Sequence, residues 1–189
     1  MILVRKFLLI ALFGASCFSA GVTSVSAHEL TEKQAEQVEK LKKSVPAAKE
    51  VLLRTDSTLK KLFDESAGYV IFPRVAKGGF IFGGAHGTGL VYAKGRLIGL
   101  ASVTQATVGA QAGGQIYREA IFFESDEELK TFKEGRAEFS AQVTVIVAAE
   151  GSAAGARYSE GVLVVIDPIK GMMLEASVGG QKFTFTHID

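Results

Sequence analysis

Residues 76–92 read AKGGFIFGGAHGTGLVY and hold six glycines in seventeen positions. Successive side chains of a β-strand point to opposite faces, so odd and even positions of an extended segment form two separate faces. Here the odd positions are nearly all small, whereas the even positions include the bulky Phe80, Phe82 and Leu90. Glycine weakens a strand, but it allows sharp bending and the close approach of another backbone. The run therefore predicts a strand in a strongly curved sheet. We call its face of small residues at odd positions the stripped face.

The same run contains Lys77, and glycines beside a lysine can also form a phosphate-binding loop. Such a loop needs G-x-x-x-x-G-K-[ST], or G-x-G-x-x-G, between a strand and a helix, so that backbone N–H groups converge on the anion. The chain has no Gly-Lys-Ser or Gly-Lys-Thr, and the G-x-G at residues 87–89 continues with Leu-Val-Tyr. We therefore expect no nucleotide ligand.

Residues 28–68 carry helical patterns. Thr31 and Gln34 have the spacing of a capping box, and apolar residues recur at near-helical intervals as far as Val45. Pro46 suits the first turn of a second helix, and the pattern predicts a short third helix after it. This part of the chain is predicted to be helical throughout.

Residues 69–189 are predicted to be mostly β, as several short apolar strands separated by glycine turns. One helix interrupts them near residues 126–134, where Ser125 and Glu128 have capping-box spacing. Helices followed by many strands are typical of an α+β domain. We expect a single domain over residues 28–189, with N-terminal helices packed on a strongly curved, glycine-rich, barrel-like antiparallel β-sheet.

The chain begins with the layout of a secretory signal peptide: an early basic pair, an apolar run, and a Val-Ser-Ala cleavage site ending at Ala27. The apolar run is too short to cross a membrane as a helix. We expect residues 1–27 to be removed and the protein to be exported, to the periplasm or the cell envelope. Cys17 is an alternative site for lipid attachment, although Gly14 stands where bacterial lipoproteins usually carry a leucine-like residue.

Charge argues against a nucleic-acid partner. Without residues 1–27 the chain has 19 basic and 20 acidic residues, a net charge of about −1. Domains that bind nucleic acid usually carry a strong basic excess that attracts phosphates. We therefore expect no nucleic-acid ligand.

The residue types that carry catalysis or bind metals do not form a recognisable pattern. His28, His86 and His187 lack H-x-H or H-x-x-x-H spacing, and no cysteine follows the signal peptide. Ser152 lies in Gly-Ser-Ala-Ala-Gly, which is not the G-x-S-x-G of hydrolases. The acidic residues 126–128 are typical of the first turn of a helix. We expect no metal, no cofactor and no enzymatic activity.

Two segments resemble the SYLF-domain family. The first is AGYVIFPRVAKGGF at residues 67–80, an apolar strand followed by Phe-Pro, a valine, a lysine and a glycine-spaced strand. The second, VGAQAGGQ at residues 108–115, is similar to the family's Gly-x-Gln-x-Gly segment. The acidic helix after Phe123 and a late segment at residues 171–176 also fit. The resemblance covers about residues 35–186.

The resemblance implies a lipid-binding module. Eukaryotic members of the family bind phosphoinositide membranes through basic residues and an N-terminal amphipathic helix, and some bind actin, whereas bacterial members are secreted or lipid-anchored. This chain departs from the pattern because it has no tryptophan, and residues 100–104 replace a Pro-Ala-aromatic segment. For a chain with an export signal, the resemblance implies an anionic phospholipid membrane surface as the partner.

Basic residues are the candidates for contact with lipid head groups. Arg74 and Lys77 match the family's basic positions beside the Phe-Pro corner. Lys40, Lys42 and Lys43 lie within residues 28–77, which hold ten basic and eight acidic residues, whereas the remainder of the chain after Ala27 holds nine and twelve. Basic side chains near an anionic bilayer add to binding only when several share a face.

Two other functions stay open at this point. An antiparallel sheet with an open edge could recruit an envelope protein by strand addition, which would make the chain a structural or scaffolding protein. A curved sheet covered by helices could instead enclose a lipid, which would make it a carrier.

Overall fold

The structure is a computed structural model that describes residues 30–135, 138–139 and 144–188. The predicted signal peptide, its cleavage site and Cys17 lie outside these described residues. Two helices come first along the described chain, and a third helix lies between the strands of a single sheet. The predicted α+β architecture is confirmed.

The first helix, α1 (Glu32–Thr55), begins with the capping box that the sequence predicts. Gln34 N donates to Thr31 Oγ1 at 3.3 Å, and Thr31 N donates to Gln34 Oε1 at 2.9 Å. The prediction that a second helix begins at Pro46 is wrong, because α1 continues through this residue. Proline removes one backbone donor, but the buried face continues past it and packs on the sheet. That face consists of Val38, Leu41, Val45, Ala48 and Leu52.

A corner at Asp56 separates α1 from the short helix α2 (Leu59–Glu65). Asp56 is fully buried, and one of its carboxyl oxygens accepts a hydrogen bond from Thr58 N at 2.9 Å. The other accepts from Ala153 N at 2.6 Å. The helical corner is therefore fixed to a loop almost a hundred residues later in the chain.

Over the described residues the sheet contains six strands, two of which are very long. They are β1 (Gly68–Gly79), β2 (Phe82–Ala93), β3 (Arg96–Phe123), β4 (Glu138–Phe139), β5 (Thr144–Ile146) and β6 (Val162–His187). Helix α3 (Asp126–Lys133) follows β3 and begins with the predicted capping box of Ser125 and Glu128. Where the sequence predicts several short strands, β3 and β6 are continuous over 28 and 26 residues.

The sheet is strongly curved because β3 changes direction. β1 and β2 are antiparallel to each other, yet β3 is antiparallel to both: its first half pairs with β2 and its second half with β1. Between the halves, Gly109 has φ 148° and Gly113 has φ 121°, a backbone conformation that favours glycine. β6 follows β3 antiparallel from end to end, and β5 pairs with β6 in parallel. The described strands do not close into a barrel, so the predicted barrel-like closure is not confirmed.

The two faces of the sheet bury separate apolar cores. Helices α1 and α2 cover one face, which we call the helix face, and the curl of the sheet encloses the other, the inner face. Across the inside, Phe72 of β1 lies 6.1 Å from Phe183 of β6, measured between ring centroids, although these strands are not neighbours. Phe132 of α3 lies 5.0 Å from Phe123 and 5.4 Å from Phe183. Helix α3 thus packs into one end of the curl, and the β1–β2 turn lies at the other.

Candidate functional site

A β-bulge in β1 sets the position of Arg74. Between Ile71 and Val75, β1 has one residue more than the stretch of β2 with which it pairs. Pro73 lies in this bulge, where a residue without a backbone N–H is tolerated. Bulges bend a strand and redirect its side chains. The Arg74 side chain is exposed at this bend.

Two glycines of β2 allow the bulge to form. A Cβ atom at Gly89 would come within 2.3 Å of the Ile71 carbonyl oxygen, and one at Gly87 would lie 3.0 Å from the Arg74 carbonyl oxygen. Both positions belong to the stripped face of residues 76–92, and this face is turned toward the inside of the curl. The sequence-based interpretation of the glycines as a device for curvature and close packing is therefore confirmed.

A groove of about 520 Å³ lies between α1 and the β1–β2 hairpin, beside Arg74. Gln37 Nε2 donates to Thr88 Oγ1 at 2.8 Å, which fastens α1 over β2 next to the groove. Arg74 and His86 are exposed at its border. Its other lining residues combine an apolar wall with small polar groups: Leu41, Ser44, Pro73, Ala76 and Gly87. This groove could hold an anionic group that carries an apolar attachment.

The three lysines predicted on α1 differ in their partners. Lys40 Nζ lies 2.7 Å from Glu36 Oε1, and this contact lowers the pKa of the Glu36 carboxyl through a hydrogen bond and charge attraction. Lys42 Nζ lies 2.7 Å from Glu39 Oε1. Lys43 is exposed and takes part in no ion pair among the described residues. Two of the three predicted charges are thus neutralised by the helix itself.

Lys77 lies on the inner face, away from the surface that the sequence suggests for it. It follows Val75 by two residues on β1 and pairs with Ala85 of β2, and both of these residues belong to the inner core. Its side chain is half-buried. The structure therefore separates Lys77 from Arg74, which the resemblance treats as one basic pair.

Glu119 of β3 is fully buried on the same inner face. Burial raises the pKa of this carboxyl from 4.5 to about 7, and the Gln181 side chain and the Lys77 ammonium oppose the rise. Sequence reasoning missed Glu119. The signal was its spacing, two residues from Tyr117 and from Ile121, which places it among inward-facing side chains.

Three consecutive large apolar residues protrude at the β1–β2 turn. Phe80 is 72% exposed, Ile81 56% and Phe82 74%, and Val108 of β3 beside them is 58% exposed. Phe82 and Val108 are register partners, so the four side chains form one group, which we call the apolar tip. A hydrophobic pattern usually indicates core residues, so the exposure of these side chains was not predicted.

The end of the sheet that carries the apolar tip is almost free of charge. Residues 78–85 and the facing stretch of β3, residues 105–117, contain no Asp, Glu, Lys, Arg or His. Lys77 and His86 border the first of these segments, and the facing part of β6, residues 171–181, adds one charged residue, Glu175. The opposite end of the sheet carries charged residues, since Lys94 Nζ there lies 3.4 Å from Asp126 Oδ2.

Within the described parts of the chain, no group of three or more His, Cys, Asp or Glu residues is arranged to hold a metal ion. No described helix is long and apolar enough to cross a membrane.

Part of the chain is similar in sequence to a bacterial protein. No family model matches the sequence. The chain is similar to beta cell expansion factor A of Aeromonas veronii, with 27% identity over 135 residues. The matched region is 70% of this chain and 51% of that protein, so the chain spans about half the length of its relative.

Proposed function

We propose that this chain is a non-catalytic module of the SYLF type that binds anionic phospholipid at a membrane of the cell envelope. The observation that carries the proposal is the exposed Arg74 at the bulge, beside an apolar groove. A guanidinium presents several donors in a plane that matches the oxygens of a phosphate.

Arg74 is available for such a contact, because it takes part in no ion pair among the described residues. Its surroundings suit a lipid head group better than a free anion, since Leu41 and Pro73 form an apolar wall beside the charge. Lys40 and Lys42 contribute less, because each already has a carboxylate partner within 2.7 Å. Lys43 supplies a second exposed cation on α1.

The sequence supports the same proposal independently. The AGYVIFPRVAKGGF segment at residues 67–80, which resembles the SYLF-domain family, is the one that forms the bulge and places Arg74. The export signal predicted over residues 1–27 would bring the domain to an envelope membrane rather than to cytoplasmic phosphoinositides.

Flotation of the chain without residues 1–27 on vesicles tests the proposal. We expect recovery with phosphatidylglycerol vesicles at low salt, less recovery at moderate salt, and little with pure phosphatidylcholine, because head-group contacts are screened by salt. Arg74→Glu should reduce the recovery at least fivefold. Arg157→Glu is the matched control, since Arg157 is also exposed and makes no ion pair among the described residues. Absence of binding to every vesicle, or equal loss in both variants, would overturn the proposal.

A further inference from the structure

We infer that the apolar tip of Phe80, Ile81, Phe82 and Val108 is the part of the domain that enters the bilayer, so that the domain binds end-on. This inference rests on the proposed function and adds the mode of attachment. The four side chains are 56–74% exposed and form a protrusion at the end of a hairpin. When such a protrusion enters the boundary between head groups and acyl chains, its apolar side chains are removed from water.

The absence of charge around the tip makes insertion possible. A charged side chain is costly inside the hydrocarbon, so a segment that enters it must be nearly free of charge. Residues 78–85, and the entire stretch of β3 over residues 97–117, carry no titratable charge. This stretch includes the point where β3 changes direction, which lies beside the tip.

Several backbone groups of the tip are hydrogen-bonded within the protein. Gly78 and Gly79 are paired on both edges of β1, with β2 on one side and β3 on the other. At the turn, Phe80 N donates to the Phe82 carbonyl at 3.2 Å, and Gly109 N donates to the Ile81 carbonyl at 3.0 Å. Backbone groups must be satisfied internally in lipid. A protein that added a strand would instead need an unpaired edge, and β1 offers none here.

Lys77 and Arg74 lie behind the tip at distances that would bring them to the head groups of the bilayer. A strand rises about 3.3 Å per residue, so Lys77 is roughly 10 Å and Arg74 roughly 20 Å behind Phe80. A tip that is buried by about 5–10 Å would place Lys77 near the level of the phosphates. The long Arg74 side chain would then approach the head groups from the outer side.

Because the chain has no tryptophan, a single substitution reports the tip alone. Phe82→Trp should shift its emission to shorter wavelength on phosphatidylglycerol vesicles and be quenched at least twofold by lipids brominated on their acyl chains. Ile146→Trp is the matched control, since Ile146 is 61% exposed on β5 and is not part of the tip. Its emission should not change.

Three outcomes are decisive when flotation is run in parallel. Vesicle binding with Phe82→Trp left in a water-like environment would overturn end-on insertion and leave the proposed function standing. Absence of vesicle binding by the unsubstituted chain would overturn both end-on insertion and the proposed function. A blue shift without vesicles that disappears on dilution, together with a dimer by size exclusion, would assign the tip to a second copy of the chain and overturn insertion.

Serine at all three turn positions, Phe80→Ser with Ile81→Ser and Phe82→Ser, supplies a second measurement. These side chains are exposed, so the variant should unfold at the same urea concentration as the unsubstituted chain. Its vesicle affinity should fall at least tenfold at moderate salt, where the contribution of Arg74 is already screened. Unchanged affinity at moderate salt would overturn the inference.

Discussion

Lys77 and Glu119 lie on the same inner face of the curled sheet, and the Lys77 ammonium opposes the rise in the pKa of the buried Glu119 carboxyl. The two residues lie on adjacent strands, β1 and β3, close to the bulge that positions Arg74. A buried carboxyl is therefore enclosed by the same strands that lead to the apolar tip.

Glu119 should make the stability of the domain depend on pH. Its pKa is about 7 in the folded chain against an ordinary value of 4.5, so the folded state retains a proton that the unfolded state loses between these values. The stability that Glu119 contributes should be fully present below pH 4.5, fall as pH rises to about 7, and be absent above it. The rise in pKa corresponds to about 3 kcal/mol for this group. Urea unfolding at pH 5 and pH 8 measures the difference.

Glu119→Gln should remove most of this pH dependence and be more stable than the unsubstituted chain at pH 8, because an amide is not ionised there. Glu124→Gln serves as the control, since Glu124 is exposed. An unchanged difference between pH 5 and pH 8 in Glu119→Gln would contradict the assignment.

Lys77→Met should raise the pKa of Glu119 above about 7, because it removes the nearby positive charge that opposes the rise. The midpoint of the fall in stability should therefore move to higher pH. Carbon-13 NMR of the glutamate carboxyl groups measures the pKa directly. Lys94→Met, at the opposite end of the sheet, should leave the pKa of Glu119 unaltered. A lowered Glu119 pKa in Lys77→Met would refute the coupling between Lys77 and Glu119.

Gly89→Ala should destabilise the domain by about 2–3 kcal/mol, as forced overpacking does. The added Cβ would lie 2.3 Å from the Ile71 carbonyl oxygen, a backbone atom that cannot move without breaking the bulge. Gly180→Ala on β6 is the control, because a Cβ there meets no heavy atom within 4 Å. Thermal unfolding of the two variants, monitored by circular dichroism, decides the point; equal midpoints would show that the bulge tolerates the contact.

Asp56→Ala should cost about 2–3 kcal/mol in the free energy of unfolding, because it leaves the buried N–H groups of Thr58 and Ala153 without their acceptor. Asp64→Ala removes only an exposed pair with Lys60 and should cost less than about 1 kcal/mol. Chemical denaturation compares them. Similar losses in the two variants would mean that the link between the helical corner and the later loop is weak.

Local patterns predict local structure well in this chain. The capping boxes of Thr31 and Ser125 depend on residues within four positions, and both helices begin where these signals stand. The stripped face of residues 76–92 indicates curvature because strand alternation is also a local property. Pro46 shows the limit of such reasoning, since packing of a long apolar face overrides the usual helix boundary.

Features that depend on distant partners could not be predicted. Alternation does not tell which side of a strand faces inward, so Lys77 was expected at the surface rather than near Glu119. The continuity of β3 arises from pairing with β6, which begins about forty residues after β3 ends. Likewise, the exposure of Phe80 and Phe82 depends on how far the hairpin extends beyond the elements that cover it. A local sequence pattern does not contain this information.

The end-to-end pairing of β3 with β6 has a consequence for how the chain folds. Phe123 meets Val162, but the opposite end of the ladder joins Gly99 to His187, which lies 88 residues later in the sequence. Contacts of such wide sequence separation slow folding, because a large loop must close before they form. One edge of β3 stays unpaired until β6 has been synthesised, so a nascent chain exposes a long unpaired strand edge, which favours aggregation.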